Sequence, residues 1–186
     1  MKIGIMGSAG TGKSSLGLEI ANVVGAEFLP AKNITRVILD REKYDWSSEV
    51  HVERFLANSG CQKELLDKSI EIESQHDNFV VDRTSIDFAA YAIAESCWNT
   101  DEILKLINIC EHHARSYTHL ILCMWGLVPP EDNKVRTLNP WYQFLIHTIE
   151  IGLISSWGMD VTGCILNAPD IEGKTQMIRD ALRVSE

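Results

Sequence analysis

The first sixteen residues, MKIGIMGSAGTGKSSL, constrain this chain more than any other stretch. Lys2 to Met6 is a short apolar run of strand type. Gly7-Ser8-Ala9-Gly10-Thr11-Gly12-Lys13-Ser14 then fills the pattern G-x-x-x-x-G-K-[ST], and Ser15-Leu16 opens a helix. Glycines let successive backbone N–H groups point into one concavity. The orphan N–H groups at the helix start, from about Lys13, add further donors and partial positive charge. A strand, a glycine-rich turn and a helix in this order make a P-loop. Its residues Gly7 to Ser15 are candidate ligands for the phosphates of a nucleoside triphosphate. Lys13 is directed at the β- and γ-phosphates and Ser14 at the accompanying Mg²⁺.

The rest of the chain supplies a sheet for this loop. Apolar runs at 26–29, 78–82, 119–124 and 161–166 join 2–6 as strands, with helical periodicity over 14–24, 48–75, 84–96, 101–115, 141–155 and 173–184 between most of them. Uniformly apolar strands separated by helices predict an α/β fold, a three-layer α/β/α arrangement around a five-stranded parallel sheet. At 186 residues a single domain is expected. Within it, a helical acceptor-binding region spans about 45–76 and a lid about 126–139.

Candidate chemistry gathers where strands end. NFVVD, residues 78–82, places Asp82 at the carboxyl end of a buried strand, beside the P-loop if the two strands are neighbours. Asp82 is a candidate metal ligand, direct or through water, or a base for an attacking hydroxyl. The residue types leave both open. Arg83 can pair with that acid or hold a phosphate bidentately. Asp87, either a helix-cap residue or a second acid near the metal, is also a candidate substrate-binding residue. Arg36, in the polar segment after the second strand, is a candidate substrate-binding anion ligand, with a solvated surface arginine as the alternative. The segment GLVPPEDNKVR, residues 126–136, resists helix through Pro129-Pro130. Lys134 and Arg136 are the only basic residues between Arg115 and Lys174. Arg136 is the better candidate to close over a transferring phosphoryl group, because its planar fork can bridge two oxygens. His112 and His113 are adjacent, so they cannot share one helix face as a zinc pair would need.

Composition narrows the partners. With 26 acidic and 17 basic residues the net charge is −9, which disfavours a polyanionic partner such as DNA. Five widely spaced cysteines, none in a C-x-x-C pair, read as reduced residues of an intracellular protein. The absence of a signal peptide or a long apolar span points to the cytoplasm, or to the host cytoplasm if the chain is phage-encoded, with no membrane partner and a homodimer as an option. A guanine-reading N/T-K-x-D segment is missing after 119–124, where the chain reads WGLVPPED, so GTP signalling is disfavoured.

GSAGTGKSSL together with VVDRTSIDFAAYA and EDNKVRTLNPWYQ resembles the small P-loop kinases that include the ribosylnicotinamide kinase domain and related phage and bacterial nucleotide kinases. More loosely, the chain is similar to thymidylate and deoxynucleoside kinases, whose acid–arginine pair after the third strand matches Asp82-Arg83. The resemblance implies a phosphotransferase using ATP and Mg²⁺ on a small nucleoside or nucleotide, foremost a deoxynucleoside monophosphate. In it Asp82 serves as base or metal acid, Arg83 as a phosphate or acceptor ligand, and Arg136 as the lid arginine. Three other readings stand beside it: a kinase for a hydroxymethylated base in phage DNA, a ribosylnicotinamide-type nucleoside kinase, and a non-catalytic ATP-dependent switch.

Overall fold

The computed structural model describes residues 1–31, 61–95, 99–126, 139–165 and 170–182. Arg36, Lys134, Arg136, most of the expected lid and the first part of the expected 48–75 helix lie outside them. The described elements are β1 (Lys2–Met6), α1 (Lys13–Val24), β2 (Glu27–Leu29), α2 (Cys61–Glu73), β3 (Phe79–Asp82), α3 (Ser85–Glu95), α4 (Thr100–Ala114), β4 (His119–Cys123), α5 (Pro140–Ser156), β5 (Gly163–Ile165) and α6 (Ile171–Leu182).

The strands form one sheet in the order β2-β3-β1-β4-β5, every pair parallel. β1 is therefore central, and its flanking strands leave the sheet on either side of the P-loop. Alternation along each strand divides the interior into two cores. Ile3, Ile5, Val80, Ile121 and Cys123 pack with Leu16, Ile20 and Ala21 of α1 and Ile178 of α6. Met6, Phe79, Val81, Leu120 and Leu122 face the helices of the other layer, α2 to α5. Within that layer α3 is the middle helix, packed against α2, α4 and α5. Its sequence SIDFAAYAIAE suits the place, because small and apolar residues cover most of its circumference.

Local chemistry sets the ends of the elements. Asn139 caps α5, accepting from the N–H groups of Trp141 (3.0 Å) and Tyr142 (3.4 Å), with Pro140 in the first turn, where its missing N–H costs nothing. Gly17 lets α1 close on β2, since a Cβ there would lie 2.5 Å from the ring of Phe28. β5 is shorter at its start than the expected 161–166. Thr162 instead pins β4 with both its groups, its N–H donating to Leu120 O (2.8 Å) and its Oγ1 accepting from Leu120 N (3.3 Å). No helix among the described residues is long and apolar enough to cross a membrane.

Candidate active site

The chain leaves β1 at Met6 and turns through Gly7, Gly10 and Gly12, all at positive φ (141°, 84° and 84°). Gly7 has a second constraint, since a Cβ there would lie 2.5 Å from the carbonyl oxygen of Cys123. Gly12 is the N-cap of α1 and brings no side chain to it, so the first N–H groups of the helix have no side-chain acceptor. That is the condition for an anion site. The Lys13 ammonium lies over the loop, donating to the carbonyls of Gly7 and Ser8 (2.9 Å to the latter) and standing 4.0 Å from Asp87 Oδ1. Ser14 and Ser15 are exposed at the start of α1, whereas Ser8 is buried and its Oγ has no partner.

The ladder between β1 and β3 sets Ile5 opposite Asp82, which brings the acid to the loop. Ser14 Oγ donates to Asp82 Oδ2 and the Ala31 N–H to Asp82 Oδ1. Burial pushes the Asp82 carboxyl above the usual range, against the pull of Ser14, the Ala31 amide and Lys13. A hydroxyl and a carboxylate in contact are both hard oxygen ligands and fit Mg²⁺. The uncapped helix start and the orphaned Ser8 hydroxyl likewise fit a phosphate chain.

Arg83 is the one non-glycine residue at positive φ (152°) among those described. The strain aims its guanidinium at the α2–α3 side. There it stacks over Phe88 (4.5 Å) and Tyr91 (5.0 Å) and donates to Gln62 Oε1 (3.0 Å). Gln62 Nε2 in turn donates to Glu95 Oε1 (3.0 Å). Burial lifts the Glu95 carboxyl to about 7, opposed by Arg83 and Gln62. Arg83 Nε and Glu95 Oε2 are buried without partners.

Asp87 sits at the third position of α3, buried beneath the loop. Its Oδ2 accepts from the N–H and hydroxyl of Thr84 (2.8 Å each), closing a capping box, and its Oδ1 accepts from the Gly7 N–H (3.4 Å). The structure thus brings Lys13, Ser14, Asp82 and Asp87 together and turns Arg83 to one side.

Two loop supports escaped the sequence reading. Gln143 of α5 accepts from the Ala9 N–H (2.9 Å), and the buried Lys174 of α6 donates to Thr11 O (3.2 Å). Gln143 had a signal: with His147 and Glu150 it forms a polar row at i, i+4 and i+7 on a largely apolar helix. Lys174 had none, because nothing local shows that α6 ends its approach at the loop.

No protein-family model and no curated protein sequence matches the chain. Solved structures do. A deoxyadenosine kinase from M. mycoides, with the products dCMP and dCDP bound, superposes with a TM-score of 0.68 at 16% identity, over 98% of this chain and 99% of that one. The NadR protein in complex with NR gives 0.70 at 13% identity, over 98% of this chain and 52% of that one. A shikimate kinase from Acinetobacter baumannii in complex with shikimate gives 0.50 at 12% identity, covering 97% and 92%. The chain has the fold of the small P-loop kinases.

Proposed function

We propose that this chain is a phosphotransferase that moves the γ-phosphoryl group of ATP to a small nucleoside or nucleotide, with deoxynucleoside monophosphates foremost. The observation that carries this reading is the contact between Ser14 of the loop and Asp82 at the end of β3, with Arg83 next in the chain. Donor and acceptor sides thereby meet at one strand end.

Lys13 and the loop amides hold the donor phosphates, and Ser14 with Asp82 holds Mg²⁺. When bound, that ion neutralises charge on the β- and γ-oxygens. On the acceptor side, Arg83, Gln62 and Glu95 make a polar floor between α2 and α3. Its two unpartnered atoms, a donor on Arg83 and an oxygen on Glu95, suit the polar edge of a base or sugar. Phe88, Tyr91 and Tyr142 give the same region aromatic surface. Arg136 is proposed to close over the equatorial oxygens from the lid and Arg36 to contribute an anion ligand, both on their positions in the sequence. Asp87 supports the loop from below.

The test is to offer ATP and Mg²⁺ with a panel of nucleosides, deoxynucleoside monophosphates and hydroxymethylated DNA, and to identify the product by mass. A phosphorylated nucleoside or nucleotide is expected, with kcat lowered about a hundredfold or more in Lys13→Ala. Phosphate on DNA alone, or ATP bound with no product from any acceptor, overturns the reading.

A further inference from the structure

Glu150 has no exposed surface, and as a carboxylate neither of its oxygens has a hydrogen-bond donor. It lies on the α5 face that carries Gln143 and His147, turned toward α3 and the underside of the P-loop. The groups around it come from every neighbouring element: Asp87 and Tyr91 of α3, Arg83 before that helix, Lys13 of α1, Cys123 of β4, and His147 on its own helix. Most are committed elsewhere. Arg83 donates to Gln62, and Lys13 to the carbonyls of the loop. His147 Nδ1 is 3.7 Å from Glu150 Oε2, too far for a hydrogen bond, and burial pushes its imidazole down so that it stays neutral at neutral pH. What remains is Asp87, which Glu150 meets carboxyl to carboxyl.

Two carboxyl groups can bond only if one carries a proton. Asp87 receives the Thr84 N–H, the Thr84 hydroxyl and the Gly7 N–H, a set that calls for an ionised acceptor. The proton therefore belongs to Glu150, whose deep burial also pushes its carboxyl well above the ordinary range.

We propose that Glu150 is a positioning residue of the donor site: through one proton held between them, it fixes the Asp87 carboxylate that anchors Gly7 and steadies Lys13. Were both acids ionised, two negative charges would face each other beneath a loop that must bind phosphates, in a medium that screens them poorly. One shared proton leaves a single charge there. When Lys13 turns from Asp87 to a phosphate, the Glu150 O–H stays on Asp87 and keeps the Gly7 anchor in place. No proton leaves the pair in this exchange.

This inference rests on the loop being a donor site, so its test has an arm that does not. At pH 8, where Glu73 and Glu95 are largely ionised, the infrared spectrum of the wild type is expected to show the carbonyl stretch of a protonated carboxyl that Glu150→Gln lacks. No difference between the two spectra overturns the proposal. The second arm measures Mg·ATP binding by calorimetry. Glu150→Gln keeps a neutral donor for Asp87 and should bind within about threefold of the wild type, whereas Glu150→Met should bind about tenfold more weakly. Equal affinity of the two variants also overturns it. Should Glu150→Met fail to fold, the infrared difference decides alone. A wild type that binds no ATP strikes at the reading of the loop and leaves that difference to judge Glu150.

Discussion

Asp82 has its two oxygens turned to Ser14 and to the Ala31 amide, a placement that suits the shell of a metal better than a free base. With Mg²⁺ bound as proposed, such an acid would order the Ser14 hydroxyl as a ligand, and losing support of that kind typically costs tenfold or more in metal affinity. Asp82→Asn should accordingly raise the Mg²⁺ concentration for half-maximal velocity by about tenfold, read from an Mg²⁺ titration of product formation. An unchanged Mg²⁺ requirement with kcat lost would assign Asp82 as the base. The place of Asp82 beside the loop was legible in the sequence, because it closes a uniformly apolar strand of the kind that flanks β1. The Arg83–Gln62–Glu95 cluster was not, since Gln62 and Glu95 meet Arg83 across two helices and each alone is an ordinary polar helix residue.

At the scale of elements, the described strands and helices followed from apolar runs and 3.6-residue spacing, and the order of the strands did not. Which strand flanks β1 depends on long-range pairing that no local pattern encodes. The same holds for a buried cluster that ties α2 to α4 near the start of β1. Glu73 Oε1 accepts from Ser69 Oγ (2.9 Å) and from the Tyr117 hydroxyl (3.3 Å), and Glu73 Oε2 lies 3.6 Å from His113 Nε2. Burial raises Glu73 to about 7 and, with Lys2 and His112 nearby, lowers His113 to about 4. Between these values both are uncharged in the folded protein, and the contact is no ion pair.

The two shifts act on stability with opposite sign. From about 4.5 to 7 the folded state holds a proton on Glu73 that the unfolded chain has released, so this group makes stability fall as pH rises. From about 4 to 6.5 the unfolded chain holds a proton on His113 that the folded state lacks, so this group makes stability rise. Over the shared window the slopes largely cancel. Relative to the wild type, urea unfolding at a series of pH values should therefore show His113→Gln losing stability between about pH 4 and 6.5, and Glu73→Gln gaining it between about pH 4.5 and 7. The limiting slope is about 1.4 kcal/mol per pH unit for each group. Parallel profiles for the two variants would contradict the assignment.

Across the whole molecule, the sheet separates two cores and the phosphate loop stands at the seam, held from both sides. Gln143 and Asp87 reach it from one layer and Lys174 from the other. The loop is therefore as firm as the closure of both layers on β1. Cys123 stands at that seam, next to Gly7, where the loop backbone runs too close to it for any Cβ. Its thiol is buried, and burial pushes it up to about 11 despite Lys13 and Lys174, so it is protonated and shielded at neutral pH. A thiol reagent can reach it only when β4 and the loop part. Cys123 is thus a built-in clock for the breathing of the site: its alkylation, followed by peptide mass, should slow when ATP is added, and an unchanged rate would show that the strand opens without regard to what the loop holds.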